Sequence, residues 1–412
     1  MVNTRDVVDV AVIDEAQMIF DDSRGWAWTQ AIVGVPAREL IIIGSAYAAL
    51  SILIWLPLYE GELSFLTAFA PRDWHVHEML YGFVPAVVTG FILTAIPNWT
   101  GRFPLQGMPL LGLLLLWGAG RVAVAASAQL GWLVALVIDS SFLFAVAGAA
   151  AREIAAGKNW RNLPIVLLIA LLAAGNVGFH LEAHFAGVAD YAIRAGLAVM
   201  VLLISLVGGR IIPSFTHNWL ARQAPGRMPA PFARFDVGVI ALSLAALVIW
   251  VALPLNPWTG GMLLVSGAVH LVRLARWAGE RTLREPLLAI LHLGYAFVPL
   301  GFILLGLAAV TDGTPTAGIH AWAGGAIGTM TLAVMSRASL GHTGRDLHAS
   351  RFTQAVYLAV LVAALCRIAA ALTPANSIPL LCAAALLWAL AFGGFAVIYA
   401  PVLLKPPVRR AA

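Results

Sequence analysis

The sequence predicts an all-α polytopic membrane protein of about twelve transmembrane helices, and three observations predict it. Of 412 residues, 61% are hydrophobic and only 11% charged, with a mean hydropathy of +0.89. A soluble domain covers its surface with roughly a quarter charged residues, so this chain lacks the polar surface to stay in water. Its apolar runs are about 20 residues long, enough to cross roughly 30 Å of hydrocarbon as helices. The runs are continuous rather than alternating, which argues against a barrel of strands.

Helices are expected at 38–57, 77–97, 108–127, 131–151, 163–184, 190–212, 236–254, 259–277, 286–309, 318–336, 352–372 and 377–403. Residues 1–37 hold Asp6, Asp9, Asp14, Glu15, Asp21 and Asp22 and no signal peptide, so they read as an acidic cytoplasmic tail. Residues 404–412 read as a basic tail, and 38–403 as the membrane domain. Of the 25 Lys and Arg, all but Arg72, Arg121, Arg194 and Arg367 fall in the tails, in every second loop or in the span ends that adjoin them. The positive-inside rule then places both termini on the cytoplasmic side of an inner membrane, and the bias supports the span count. The pI near 9.6 has the same origin, so lipid, not nucleic acid, is the expected surrounding. Cys366 and Cys382 lie singly inside apolar runs and fit neither a disulfide framework nor a CxxC site. Trp26, Trp28, Trp55, Trp74, Trp99, Trp160 and Trp219 fall near predicted interfaces, as an aromatic belt would.

Orientation sorts the ten histidines. His75, His77, His180, His184 and His320 fall at the periplasmic ends of spans two, five and ten. His270 and His292 lie in the cytoplasmic halves of spans eight and nine, and His217, His342 and His348 in cytoplasmic loops. Span two runs from His77 to Thr100-Gly101-Arg102, and span ten from His320 to Thr343-Gly344-Arg345, with 25 residues from histidine to arginine in both. Ile212-Pro213-Ser214-Phe215-Thr216, closing span six, echoes Ile96-Pro97-Asn98-Trp99-Thr100. These echoes suggest three parallel four-helix units around a pseudo-threefold axis, at 38–157, 158–280 and 281–403. Chance likeness among membrane helices is the bland alternative.

A haem held by two histidines needs imidazoles from opposite sides, and His77 and His320 have matching depth on different helices. His180 and His184 are four residues apart and share a helix face, a spacing that suits one copper, zinc or iron ion. His75 joins them if Arg72-Asp73-Trp74-His75 is a loop. His270 and His292 form a second candidate haem pair, which His217 and His342 could also serve. Arg121, Arg194 and Arg367 are candidate partners of haem propionates. Against each stands a plainer role: a histidine bonded to a neighbouring helix, or an arginine reaching to water. Asp139, Glu78 and Glu182 are candidates for a proton route. The chain has no phosphate-binding loop, nucleophile elbow, CxxCH attachment or dinucleotide fingerprint.

Longer strings carry a family resemblance. They are Trp74-His75-Val76-His77-Glu78-Met79-Leu80-Tyr81-Gly82-Phe83, Thr94 to Arg102, Gly209-Arg210-Ile211-Ile212-Pro213-Ser214-Phe215-Thr216, and the run from Gly328 to Arg345. Together they resemble the NnrS proteins over nearly the whole chain after the tail. The resemblance implies a bacterial membrane protein with haem b, one or two, and copper, tied to denitrification and resistance to nitric oxide. A weaker likeness is to the catalytic subunits of haem-copper oxidases and nitric oxide reductases, whose low-spin haem takes histidines from spans two and ten. This chain lacks their His-His pair after span seven and a second histidine beside His320. Their binuclear centre therefore does not carry over.

The expected function is a redox protein that binds nitric oxide and reduces or detoxifies it. Two molecules with two electrons and two protons give nitrous oxide and water, the electrons coming from quinol or a periplasmic donor. A transporter or copper/haem delivery protein is the alternative, and a haem-based sensor using the acidic tail the second. Transporters place ionisable groups and broken helices at the midplane, whereas these histidines lie near the faces.

Overall fold

The computed structural model describes residues 35–102, 105 and 107–404, so the expected acidic and basic tails lie almost wholly outside the described residues. Among the described residues there is helix and no strand. We number the spans α1 (Val35–Tyr59), α2 (Pro71–His77, Glu78–Phe83 and Val84–Thr100), α3 (Met108–Ala125), α4 (Trp132–Ala156), α5 (Leu163–Ala186) and α6 (Asp190–Leu220). Next come α7 (Arg234–Ala252), α8 (Pro257–Ala275), α9 (Pro286–Val310), α10 (Thr316–His320, Ala321–Gly328 and Thr329–His342), α11 (Arg351–Leu372) and α12 (Ser377–Leu404). Eleven of them are long and apolar enough to cross a membrane. The other, α10, is continuous in helix but diluted by Gly, Thr and Ser.

Local chemistry sets the ends. Proline opens α2, α3, α5, α8 and α9 at the first or second position, where its missing N–H costs nothing. Asn256, Glu285 and Ser350 accept a backbone N–H from the first turn of α8, α9 and α11. Gly187, left-handed at φ 78°, ends α5.

Two spans are not regular. The middle pieces of α2 and α10 are π-helical, and each begins directly after a histidine, His77 and His320. A π turn carries an extra residue and rotates the helix before it relative to the helix beyond it. Pro85, just beyond the first π turn, has no N–H to return to the preceding turn. The Val84 N–H instead reaches back five residues to the Met79 carbonyl.

Consecutive spans pack side by side and α12 returns against α1, closing the bundle. At its centre α2, α6 and α10 meet one another. Small residues allow the close approach. A Cβ on Gly196 would stand 2.5 Å from the Tyr81 hydroxyl, and one on Gly301 would run into the Trp322 ring. Trp55 and Trp74 pack inward, 5% and 3% exposed, so they are core residues rather than members of an interfacial belt. Trp160 stays exposed.

Candidate functional site

Five helices close around a polar cluster at the end of the bundle expected to face the periplasm. Its members are Tyr47 on α1, His77 and Glu78 on α2, Arg121 on α3, Asp139 on α4, and Asn176 and His180 on α5. All but the partly exposed Tyr47 are buried. The Arg121 guanidinium donates to Glu78 Oε2 at 2.7 Å and also to Asp139 Oδ1, so one arginine joins two carboxylates. The Tyr47 hydroxyl donates to Glu78 Oε2. A charge inside hydrocarbon is costly unless paired, and here each is.

The middle of the cluster is short of protons. His77 Nδ1 lies 3.0 Å from Glu78 Oε1. Its Nε2 lies 3.0 Å from Asn176 Oδ1 and 3.1 Å from Asp139 Oδ2. The Asn176 amide N–H donates to Asp139 at 2.8 Å, which turns its oxygen toward His77. Both ring nitrogens therefore face acceptors, and a neutral imidazole has only one N–H to give. The position calls for a cation on Nε2, either a second proton or a metal ion.

His180 Nε2 converges on the same Asp139 oxygen at 3.1 Å. Ligand atoms of His77, Asp139 and His180 lie within 4.8 Å of one another, close enough for one ion with bonds of about 2 Å. Glu78 behind His77 and Arg121 behind Asp139 supply the outer hydrogen bonds that fix metal ligands. Two imidazoles and a carboxylate, without sulfur, suit copper(II), iron or zinc. The Phe69 ring packs against His77 and His180 at 5.2 Å from each.

His75 points elsewhere. On the regular turn Pro71–His77, residues two apart diverge by about 200°, so His75 turns toward a cavity that His77 does not line. That cavity holds about 970 Å³ of atom-free space, its open mouth included, among α1, α2, α6, α10, α11 and α12. Its walls are apolar, with Ile52, Leu197, Ile327 and Ala364 among them, and His75, His320 and Arg367 are its charged or titratable lining residues. The His75 ring stacks on Trp55 at 4.3 Å, and its buried Nδ1 has no hydrogen-bond partner among the described residues. His320 Nδ1 donates to the Thr316 carbonyl at 2.9 Å, which leaves Nε2 as the nitrogen with a free lone pair. These features fit a haem: two imidazoles from different helices, one with its tautomer set by a backbone carbonyl.

The structure thus brings His320 together with His75, and His77 together with His180. It does not assemble His75, His180 and His184 around one ion. His184 is exposed and stacks on Trp132 at 4.2 Å, one turn further out along α5 than buried His180. Glu182 is not in the cluster either; it accepts the Tyr191 and Ala192 N–H groups at 2.8 Å and caps α6. Arg121 is occupied by carboxylates. Arg194 donates to the Val251 carbonyl at 3.0 Å, and Arg367 alone of the three lines the cavity.

A second buried network sits toward the other end. Arg273 donates to Asp236 at 2.7 Å and to the Tyr295 hydroxyl at 2.9 Å. The Ser243 hydroxyl donates to the Val239 carbonyl, so it accepts from His270 Nε2 at 2.8 Å. His270 Nδ1 then takes the Tyr295 proton at 2.9 Å. Both nitrogens of His270 are used, and His292 bonds Thr216 at 2.9 Å. Neither lines the cavity of His75 and His320 or joins the His77 cluster. His217 and His348 are exposed, and His342 is half-buried. None of the three joins either site.

Sequence reasoning missed Asn176, Tyr47 and the Tyr295–Ser243 pair. One signal for Asn176 was present: it stands four residues before His180, on the face that turns inward.

Residues 33–407 match the family described as NnrS protein. Residues 1–56 match a second, described as the DEXQ-box helicase domain of Suv3. The chain is 45% identical over 62 residues to the mitochondrial ATP-dependent RNA helicase SUPV3L1 of Gallus gallus, covering 15% of this chain and 8% of that protein. It is 50% identical over 54 residues to the Danio rerio protein of the same name, covering 13% and 7%. The chain therefore spans less than a tenth of the length of these curated relatives. Asp14-Glu15-Ala16-Gln17 spells the box itself, within the stretch expected to form an acidic tail and outside the described residues. No Walker-type phosphate loop accompanies it in the sequence.

Proposed function

Because the chain belongs to the NnrS family, we propose that it is a haem- and metal-binding protein of the bacterial inner membrane that captures nitric oxide and reduces or otherwise detoxifies it. The observation that carries this reading is the placement of His75 and His320, from two inner helices, in one apolar cavity with Arg367. In this reading the two imidazoles would hold a haem b there, and the group would supply redox iron chemistry, with nitric oxide binding when one imidazole gives way. Nitric oxide is small and apolar and partitions into the bilayer, so an apolar cavity within the bundle suits its capture. Copper, which the family resemblance implies, belongs at His77, Asp139 and His180.

The chain's own residues have definite tasks. Trp55 holds the His75 ring by stacking, and Thr316 sets the tautomer of His320. Glu78 holds a proton on His77 Nδ1, and Asn176 orients the Asp139 carboxylate. Asp139 and Glu78, the candidates for a proton route, would relay protons delivered from outside the cluster, with electrons from quinol or a periplasmic donor.

The test is the absorption spectrum of detergent-purified protein, reduced and then exposed to nitric oxide. Sharp b-type bands that shift with the gas are expected. A protein colourless even after incubation with haem would overturn the reading and favour transport or metal delivery.

A further inference from the structure

Four arginines stand apart from the basic residues of the expected cytoplasmic face, and three of them are satisfied within the protein. Arg72 pairs with Asp73 and Asp190 at 2.8 Å each. Arg121 joins Glu78 and Asp139. Arg194 donates to the Val251 carbonyl and lies over the Tyr191 ring. Arg367 differs. No hydrogen bond or ion pair joins its guanidinium to any of the described residues, although it lines the cavity together with His75 and His320. The Tyr59 phenol is the one neighbour that acts on it electrostatically among the described residues. The two tryptophans of the cavity cannot accept from it, and their own N–H groups are spent on the Pro71 and Ala48 carbonyls. Nothing in the lining offers Arg367 a negative charge.

An unpaired guanidinium at an apolar wall inside a membrane protein is costly, and its planar fork matches a carboxylate. We propose that Arg367 is the anchor for a carboxylate of the molecule held between His75 and His320, and so selects an acidic tetrapyrrole over a neutral amphiphile such as a quinone. This rests on the haem reading and deepens it. Arg367 sits on α11, next to α10, and would hold one carboxylate of the occupant. It acts as a positioning residue, not through the iron.

The test uses the full-length protein stripped of haem, titrated with haem and with haem dimethyl ester, whose carboxylates are blocked. Binding is followed by the change in absorption. The wild type is expected to bind haem about tenfold or more tightly than the ester, the scale of one charge-assisted hydrogen bond. Arg367→Gln should bind the two alike, and Arg367→Lys should keep most of the preference. Equal binding of the two by the wild type, which depends on no variant folding, would overturn the anchor while leaving the haem reading intact. So would an undiminished preference in Arg367→Gln. Uptake of neither pigment would overturn the haem reading itself.

Discussion

Arg121 and Asp139 set the energetics of the buried polar cluster around His77. Each is buried; without Asp139 the Arg121 charge keeps Glu78 alone, and His77 and His180 lose their shared acceptor. Asp139→Asn should therefore lower stability by about 3–5 kcal/mol, read as thermal unfolding in detergent, and should abolish retention of any metal at His77 and His180. An unchanged melting temperature would mean that the Arg121 charge finds other relief. In the second network, Tyr295→Phe removes the only proton offered to His270 Nδ1 and should cost about 1–3 kcal/mol. It should leave haem binding intact, because His270 belongs to neither proposed cofactor site. Which residue types matter was legible in the sequence: histidines near one face, an intramembrane aspartate and four misplaced arginines. Their pairing was not, because it depends on helix phase. Taking α2 to begin at His77 leaves His75 in a loop free to turn toward His77. The helix begins at Pro71, and the phase of one regular turn sends His75 and His77 to different sites.

At the scale of elements, the two π turns are what apolar periodicity does not reveal. Both begin directly after a site histidine, and both lie on helices that share the His-to-Arg spacing. The extra residue in each turn lets the outer ends of α2 and α10 face their sites while the remainder stays packed at the centre. Glycines make that packing possible. Gly301 on α9 lies against the fully buried Trp322 within the α10 π turn. Gly301→Ala should force that ring aside, destabilise the protein by roughly 1–3 kcal/mol and weaken haem retention through His320. A variant that melts and binds haem as the wild type does would show that α10 tolerates the shift. The dilution of α10 by small and polar residues has the same cause, since an inner helix touches protein rather than lipid.

The whole molecule closes α12 on α1 and gathers α2, α6 and α10 at its centre. Such contacts are what three parallel four-helix units around an axis require, and we propose that the repeat read from the motifs accounts for them. Span number and helical class were legible because hydropathy and charge asymmetry are summed over many residues, and such sums tolerate local error. The charge asymmetry makes a prediction of its own: reporter fusions after Leu404 should be active on the cytoplasmic side only. The cavity and the metal cluster were not legible as separate sites, since each takes residues from helices distant in sequence. The helicase-like string around Asp14 was read only as charge, because composition does not distinguish a motif from a solvated face.

The central claim is that His75 and His320, not His77, hold the haem, and the most direct measurement compares reduced spectra of three purified variants. His75→Ala and His320→Ala should each lose or broaden the b-type bands. His77→Ala should retain them and lose the metal held with Asp139 and His180. Intact bands in His75→Ala together with their loss in His77→Ala would contradict that claim and return the haem to the deeper histidine.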